Sequence, residues 1–373
     1  MVNNDIKKAF QKILDFADIK INGSRPWDIQ VHNPNFYSRV LTGGNLALGE
    51  SYMDGWWDCK KIDQLIYRVL KAQLDKKVKG SKNLFWLFLK THLINPQSRS
   101  RAFIVGQKHY DISNELYHYM LDKRMNYSCG YWKNAKTLDK AQEAKLDLIC
   151  KKLKLKPGMT VLDIGCGWGS FAKYAAQKYK VKVLGVTISK EQAKLARKLC
   201  KGLDVEFRLQ DYRDLKQKFD RIVSIGMFEH VGHKNYDEFF KVANRCLKDD
   251  GLFLLHSIAT SVSTTHTDPW TEKYIFPNGM LPSAVQITKS YEKLFQLEDW
   301  HNIGVYYDPT LMAWHKNFNK AWPKLKSKFD ERFFRMWNYY LLSCAGSFRA
   351  RHNHVWQIVF SKPGSQVRYN SVR

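Results

Sequence analysis

The chain has 373 residues, and its 61 Lys and Arg against 35 Asp and Glu give a formal net charge of +26 at pH 7. This length accommodates one large α/β domain and a smaller module. Seven scattered cysteines without a CxxC pair argue against a disulfide framework or a structural zinc site, and no metal is expected. The N-terminus lacks a signal-peptide core and no run of about 18 apolar residues occurs, so we expect a cytoplasmic or peripheral protein.

The positive charge favours a polyanionic partner, which is either nucleic acid or the anionic face of a membrane. Aromatic residues make up 14% of the chain, and both kinds of partner use aromatic side chains beside basic ones. A lysine-rich codon usage produces the same excess without any partner. Charge alone therefore does not choose between these interpretations.

Three regions follow one another along the chain. Residues 1–78 predict a small helical N-terminal domain, and residues 111–373 predict a larger second domain. Between them, residues 79–110 read as a linker that carries a basic run and the apolar patch 84–89, LFWLFL. That patch suits either adsorption to a membrane interface or burial between domains.

The second domain is organised around residues 161–170, VLDIGCGWGS. Four residues predict a strand, three glycines a turn, and the residues from Phe171 a helix; this order brings bare backbone and a helix N-terminus against a nucleotide. Helices alternate with further predicted strands, which indicates a doubly wound parallel sheet. Those strands cover residues 181–188, 204–211, 219–227 and 252–258.

The glycine pattern is GxGxG rather than the GxGxxG of dinucleotide folds, and Asp163 lies two residues before Gly165. This segment resembles motif I of the class I S-adenosylmethionine-dependent methyltransferases. The resemblance implies a Rossmann-like α/β fold and S-adenosylmethionine as cofactor, with Asp163 helping to hold its ammonium group. The implied cofactor-binding residues are Tyr127, Ser128, Asp163, Gly165, Cys166, Gly167, Trp168, Gly169, Thr187, Ile188, Gln192, Gln210, Asp211 and Tyr212.

The second strand departs from that pattern because it ends in VTIS, without the acid that usually binds the ribose hydroxyls. We expect Thr187 and Gln192 to cover the ribose and carboxylate ends, with Asp211 and Tyr212 near the adenine. Ordinary helix capping is the alternative for Thr187 and Gln192, since residues 189–192 have capping-box spacing.

Further segments carry a more specific resemblance, to the cyclopropane-fatty-acyl-phospholipid synthases, over essentially the whole chain. It implies methylene transfer from S-adenosylmethionine to the cis double bond of a phospholipid acyl chain, with bound bicarbonate as the base. It also implies a homodimer at the inner face of the cytoplasmic membrane. The segments are residues 49–57, 127–132, 161–170, 186–189, 209–214, 226–232, 273–279 and 299–302.

An alkene is a poor nucleophile, and its methylation leaves a carbocation that must lose a proton. Such a site needs a dry apolar channel, aromatic faces and a base. The resemblance implies that Glu229 and His256 position the bicarbonate, that Tyr307 hydrogen-bonds it, and that Cys129 and Ile258 supply further contacts.

Some assignments stay open. Instead of His256, the neighbouring motif offers His230, and His256 could also be a core histidine. Cys344 is a nominal active-site thiol of the family, but its apolar helical setting also suits a packing cysteine.

Three other functions compete with this interpretation. A related lipid C-methyltransferase would add a branch or a hydroxyl instead of a ring. A nucleic-acid methyltransferase is disfavoured because Met227-Phe-Glu-His230 stands where a catalytic Cys or an Asn/Asp-Pro-Pro loop is usual, so we expect no nucleic-acid partner. A non-catalytic membrane-binding scaffold is disfavoured by the intact glycines and Asp163.

Overall fold

The computed structural model describes residues 2–74, 77 and 114–373, which divide into two compact units. The first unit takes the described residues up to 120 together with 267–277 and 311–352. The second takes 121–266, 278–310 and 353–373. These units differ from the predicted domains, since three described segments of the predicted second domain, 114–120, 267–277 and 311–352, join the first unit. The predicted linker 79–110, with its apolar patch, lies outside the described residues.

The first unit is mainly helical. A short antiparallel pair of strands, Gln30–Val31 and Trp57–Asp58, accompanies the helices. None of the helices that the structure describes in either unit is long and apolar enough to cross a membrane. The helices of the first unit are Val2–Asp15, Phe36–Met53, Ile62–Lys71, Asn114–Met120, Pro269–Tyr274, the part of Tyr307–Leu325 from Leu311 onward, and Glu331–Arg349.

Polar contacts explain why helix Glu331–Arg349 belongs to the first unit rather than with the sheet. Arg335 donates to the Asp58 carboxylate at 2.7 Å, and Arg349 donates to the Asp63 carboxylate at 2.6 Å. The apolar side of the helix is buried as well. Sequence order alone does not reveal this pairing, because about 280 residues separate the partners.

The second unit contains a seven-stranded sheet, whose strands we number in chain order. The spatial order is β3-β2-β1-β4-β5-β7-β6. Strands β1 to β5 are parallel, whereas β7 runs antiparallel to both β5 and β6. The strands are β1 Thr160–Ile164, β2 Lys182–Thr187, β3 Val205–Leu209, β4 Phe219–Ile225, β5 Leu247–Thr260, β6 Gln296–Asn302 and β7 Asn353–Ser361.

Helices and short 3-10 turns connect these strands. The α-helices are Leu138–Lys152, Ser170–Tyr179, Lys190–Leu199, Tyr236–Cys246, Ala284–Tyr291 and the first turn of Tyr307–Leu325. The 3-10 turns are Tyr212–Asp214, Phe228–His230, His233–Asn235 and Gly304–Tyr306.

Both faces of the sheet are covered, as the predicted doubly wound fold requires. Successive β1 residues point to opposite faces, so Val161 and Leu162 enter two different core clusters. Leu162 packs in the cluster that contains Phe239, and Val161 in the cluster that contains Ile149 and Phe171. All the predicted strands are present, with shifted ends.

The largest shift concerns β5, which was predicted over 252–258 and extends over Leu247–Thr260. The region 259–296 reads as an insertion with little periodicity, yet it forms two short helices. A capping box at Ser283 and Gln286 begins the second of them, Ala284–Tyr291. Local capping thus sets a helix where hydrophobic spacing is weak.

A buried ion cluster ties the helix before β1 to strand β6. Lys152, at the end of helix Leu138–Lys152, is fully buried and donates to the Asp299 carboxylate at 3.1 Å. Arg373 donates to both oxygens of the same carboxylate at 2.7 Å. Burial alone would raise the pKa of Asp299, but Arg373 and Lys152 outweigh it and lower that pKa to about 2.

We therefore predict that Asp299→Asn lowers the free energy of unfolding by about 3 kcal/mol at pH 7, because it leaves Lys152 buried without its counter-charge. The folded-state pKa of Asp299 is depressed, so its stabilisation is present above about pH 4 and is lost as the pH falls towards 2. Urea unfolding of both proteins between pH 3 and 8 measures this. The exposed pair Lys182–Asp204 supplies the control, and Asp204→Asn should change stability by less than about 0.5 kcal/mol. Equal losses for the two substitutions would contradict the prediction.

Candidate active site

The glycine turn after β1 is held tightly on two sides. Gly165 has φ +80°, and a Cβ there would lie 2.5 Å from the Met227 side chain. Gly169 has φ +79°, and a Cβ there would lie 2.6 Å from the Phe207 ring. Around Gly167, by contrast, no described heavy atom lies within 4 Å of a Cβ position. The turn therefore has one open side of bare backbone, which a cofactor can approach.

Asp163 stands at the end of β1 and is only 2% exposed. Its Oδ2 atom is buried and has no hydrogen-bond partner among the described residues. Burial raises the pKa of Asp163 to about 7, although the positive charge of Lys145 opposes this shift. An unpartnered, buried carboxylate oxygen suits a cationic donor such as the ammonium group of S-adenosylmethionine, so these residues fit the predicted cofactor.

The segment that carries the predicted residues Tyr127 and Ser128 is fastened beside this turn. Lys145 Nζ donates to Asn126 Oδ1 at 3.0 Å and to Ser128 Oγ at 2.9 Å. Ser170 Oγ, in the helix that follows the glycines, donates to the same Asn126 Oδ1 at 2.5 Å. The turn and Ser128 therefore belong to one hydrogen-bonded group.

Lys145 and Asn126 are absent from the predicted site. A signal for the lysine exists in the amphipathic pattern of helix Leu138–Lys152. Its buried face repeats at three- and four-residue spacing, and polar residues occupy three positions of that face, a pattern that apolar packing does not explain. The five positions are Leu138, Gln142, Lys145, Ile149 and Lys152.

Thr187 and Gln192 meet at the end of β2, where Thr187 Oγ1 donates to Gln192 Oε1 at 3.0 Å. Ser189 caps the following helix, because its side-chain oxygen accepts from the backbone amide of Gln192 at 3.3 Å. The Gln192 side chain is thus directed to Thr187, and only half of the expected capping box forms. Both residues remain candidates for the cofactor site.

The remaining predicted cofactor residues lie at or just after the ends of strands β1, β2 and β3. Ile188 is 81% exposed directly after β2. Asp211 follows β3 and Gln210, and its carboxylate accepts from the Arg213 side chain at 2.6 Å. Tyr212 is half-buried and meets the Phe239 ring edge-on at 5.6 Å. Cys166 and Trp168, within the glycine turn, are buried.

Glu229 follows β4, and His256 lies in the neighbouring parallel strand β5, opposite Ile225 at the end of β4. Glu229 lies in the 3-10 turn just after β4, and its Oε1 accepts from the Ile258 amide at 2.6 Å. Its Oε2 is buried and has no partner among the described residues. Burial raises the pKa of Glu229 to about 7. A carboxyl group in this state can donate from Oε2 when protonated.

His256 lies within β5 rather than at its end and is 2% exposed. Burial, assisted by the charges of Lys145 and Lys152, holds the pKa of His256 well below its usual range, so the ring is neutral. Gln357 Nε2 donates to its Nδ1 at 3.3 Å. This bond makes Nδ1 the acceptor and leaves the ring proton on Nε2. The alternative candidate His230 is exposed at the end of its 3-10 turn.

The segment that carries Cys129 contacts both the loop after β6 and the helix that begins with Tyr307. Cys129 is fully buried, and its thiol donates to the Ile303 carbonyl at 3.8 Å. Burial raises the pKa of this thiol strongly, so it is uncharged. Tyr307 begins helix Tyr307–Leu325 just after this loop and is 6% exposed. Thr310 in the same helix accepts from the Gly130 amide at 3.1 Å.

Cys344 belongs to the first unit, on helix Glu331–Arg349, whereas the other predicted catalytic residues belong to the second. It is half-buried, and burial together with the charge of Asp268 raises the pKa of its thiol to about 12. A thiol in this state is a weak nucleophile. These features suit the packing interpretation of Cys344.

The arrangement offers polar groups for an organic cofactor and a small anion. No cluster of three or more His, Cys, Asp or Glu side chains within the described part of the chain is placed to hold a metal ion. Asp163 and Glu229 each have one carboxylate oxygen without a partner among the described residues, and these two oxygens suit ligands of opposite charge. One suits a cation, and the other, when protonated, suits an anion.

Comparison with known proteins supports the family prediction. The family model described as mycolic acid cyclopropane synthetase matches residues 97–358. Cyclopropane-fatty-acyl-phospholipid synthase of Escherichia coli K12 is 55% identical over 351 residues, which cover 94% of this chain and 92% of that protein. A probable fatty acid methyltransferase of Pseudomonas putida is 38% identical over 272 residues, 68% of each chain.

Among solved structures, the mycolic acid cyclopropane synthase CmaA1 complexed with SAH and CTAB aligns with a TM-score of 0.64 at 34% identity. The alignment covers 70% of this chain and 98% of that one. The predicted class I methyltransferase fold and the predicted enzyme class are confirmed. The chain belongs to the mycolic acid cyclopropane synthetase family.

Proposed function

We propose that the protein transfers a methylene group from S-adenosylmethionine to the cis double bond of unsaturated phospholipid acyl chains, forming cyclopropane fatty acids. The observation that carries this proposal is the buried Glu229 carboxyl, which accepts from the Ile258 amide two residues after His256 and keeps its second oxygen unpartnered among the described residues. This group suits a bound bicarbonate base in a chain 55% identical to a cyclopropane-fatty-acyl-phospholipid synthase. The acceptor is a lipid alkene, and deprotonation of a carbocation completes the ring.

The open side of the glycine turn, Asp163 and Ser128 would hold the S-adenosylmethionine, with Thr187 and Gln192 near its ribose. When bound, this cofactor supplies an electrophilic methyl group. Asp163 orients the amino-acid end through its free oxygen, and the glycines let the backbone approach closely.

Glu229 binds the bicarbonate as a hydrogen-bond donor. A charged carboxylate would repel the anion, but burial raises the pKa of Glu229 to about 7, so a large fraction is protonated near neutrality. The Ile258 amide holds the other oxygen and thereby directs Oε2 towards the ion. Ile258 therefore acts through Glu229 rather than through a free amide of its own.

His256 and Tyr307 complete the bicarbonate pocket. His256 is neutral and carries its proton on Nε2, so it donates from that atom to the anion. Tyr307 donates from its hydroxyl. Cys129 stays protonated and contributes shape and backbone contacts, since methylation of an alkene requires no covalent enzyme intermediate. Exclusion of water around these groups prolongs the life of the carbocation.

Access to the substrate requires contact with a membrane surface. The net charge of +26 favours anionic lipid headgroups, and each basic residue near the surface contributes about 1 kcal/mol of attraction. We propose a peripheral protein at the inner face of the cytoplasmic membrane that acts as a homodimer.

A second candidate function is formation of a methyl or methylene branch on the acyl chain, without ring closure. The similarity to a probable fatty acid methyltransferase of Pseudomonas putida favours it. Both functions share the cofactor and the carbocation, and they differ in where the proton is lost.

The product distinguishes them. With methyl-labelled S-adenosylmethionine and vesicles of cis-unsaturated phospholipid, we expect acyl chains that gain one CH2, lose the double bond and show cyclopropyl protons in NMR spectra. Saturated-chain vesicles serve as the control and should remain unlabelled. A branched product would support the second function, and label confined to nucleic acid or a small amine would contradict both.

Substitution of Glu229 tests the bicarbonate pocket. We expect Glu229→Ala to lower kcat by about 100-fold while the affinity for S-adenosylhomocysteine changes less than about twofold, because Glu229 lies on the turn after β4 and not on the glycine turn. Glu229→Gln should retain more activity, since its amide still accepts from Ile258 and still donates. Steady-state kinetics and calorimetric binding measure the two effects. A collapse of cofactor affinity would contradict the assigned role.

Vesicle binding tests the charge. Cosedimentation should strengthen as anionic lipid is added and weaken between 50 and about 500 mM salt, because exposed charges are screened. Neutral vesicles provide the control. Binding that does not change with salt would point instead to apolar insertion.

A further inference from the structure

We propose that Lys145 is a positioning residue of the cofactor site, which holds Asn126 and Ser128 beside the glycine turn. This inference rests on the proposed cofactor. It concerns a residue outside the glycine motif and outside the bicarbonate pocket.

The first observation is the cost of burying this lysine. Lys145 is 1% exposed, and both of the acceptors described for its ammonium group, Asn126 Oδ1 and Ser128 Oγ, are neutral. An apolar side chain of the same length would fill the same space without desolvating a charge. The charge and the two hydrogen bonds therefore need an explanation beyond packing.

The second observation is the position of Lys145 within a network. Gln142, one turn earlier on the same helix, donates from Nε2 to the Ser128 carbonyl at 2.7 Å. Asp122 accepts from the Asn126 amide at 2.7 Å and from its side chain at 2.9 Å. Ser170 adds the bond from the helix after the glycines. Lys145 thus joins the two sides of the cofactor site through Asn126 and Ser128.

The third observation is electrostatic. Asp122, Cys129 and Asp163 all face Lys145 closely enough to raise its pKa, yet burial dominates and lowers that pKa to about 8. The charge of Lys145 in turn opposes the effect of burial on Asp163. Burial dominates, and the resulting pKa of Asp163 is raised to about 7. His256 also feels this charge, and its ring is kept neutral. Of these groups, Asp163 combines this influence with a buried oxygen that has no partner among the described residues.

The probe is S-adenosylhomocysteine, with affinity measured by titration calorimetry on the full chain. The titration is made at pH 7.5, between the pKa of about 7 of Asp163 and the pKa of about 8 of Lys145, where both groups are largely charged. We expect Lys145→Met to weaken binding roughly 10-fold, because Ser128 and Asn126 lose their shared donor. Lys145→Arg, which keeps a charged donor, should restore part of the affinity.

The pH profile isolates the charge. A cationic group on the ligand favours ionised Asp163, so the affinity of the wild-type protein should fall as the pH decreases through about 7. Lys145→Met removes the charge that opposes the burial effect, so the fall should begin at a higher pH. The ligand's own titration is the same for every variant, and a shift of the midpoint therefore reports on the protein.

Lys152 offers a matched control, since it is a fully buried lysine on the same helix that is bound to Asp299 instead. Lys152→Met should lower the melting temperature but leave the affinity and the pH midpoint unchanged. If Lys145→Met does not fold, Lys145→Gln, which keeps a donor without the charge, must show the same shift of the midpoint.

The outcomes separate this inference from the proposed function. A wild-type protein that fails to bind S-adenosylhomocysteine would contradict the function itself. Normal binding by the wild type, with Lys145 variants that match its affinity within twofold and its pH midpoint, would overturn only the inference. Equal losses in the Lys145 and Lys152 variants would also overturn it, because they would reveal a merely structural role.

Discussion

The second unit buries two carboxyl groups, those of Asp163 and Glu229, and this burial is the constraint that the surrounding polar and charged groups have to satisfy. Asp163 lies near the end of β1 and Glu229 just after the neighbouring parallel strand β4, and burial raises the pKa of each to about 7. Each has one oxygen without a partner among the described residues. Such groups destabilise a fold unless a ligand or a nearby charge compensates them, so their neighbours have to supply charge and orientation.

Two buried lysines on helix Leu138–Lys152, Lys145 and Lys152, show two different ways in which a buried charge is compensated. Lys152 has a counter-charge in Asp299, and the pair stabilises the packing of the helix against strand β6. Lys145 donates to neutral acceptors and directs its charge towards Asp163. Burial lowers the pKa of both lysines to about 8, but Lys152 is compensated by a direct ion pair, whereas Lys145 is compensated through the nearby charges of Asp122 and Asp163. The second is better understood through the ligand site that it adjoins.

The antiparallel strand β7 orients a side chain of the candidate site, His256. Parallel strands bring Glu229 and His256 to the same end of the sheet, but they do not set the protonation of the histidine. Strand β7 places Gln357 opposite His256, and its amide makes Nδ1 the acceptor. Orientation of one ring nitrogen therefore depends on a strand that lies about 100 residues later in the chain.

Local patterns in the sequence determined the alternation of strands and helices, the glycine turn and the candidate residue Asp163, because these depend on spacing within a few residues. The candidates Glu229 and His256 came instead from the resemblance of several segments to a known family. Only the tertiary structure decided that helix Glu331–Arg349 packs with the N-terminal helices, and that Lys145 and Gln357 approach the site. Those contacts join residues far apart in sequence. The pattern of helix Leu138–Lys152 indicates that Lys145 faces inward, but the partners of that lysine, like those of Gln357, follow only from folding.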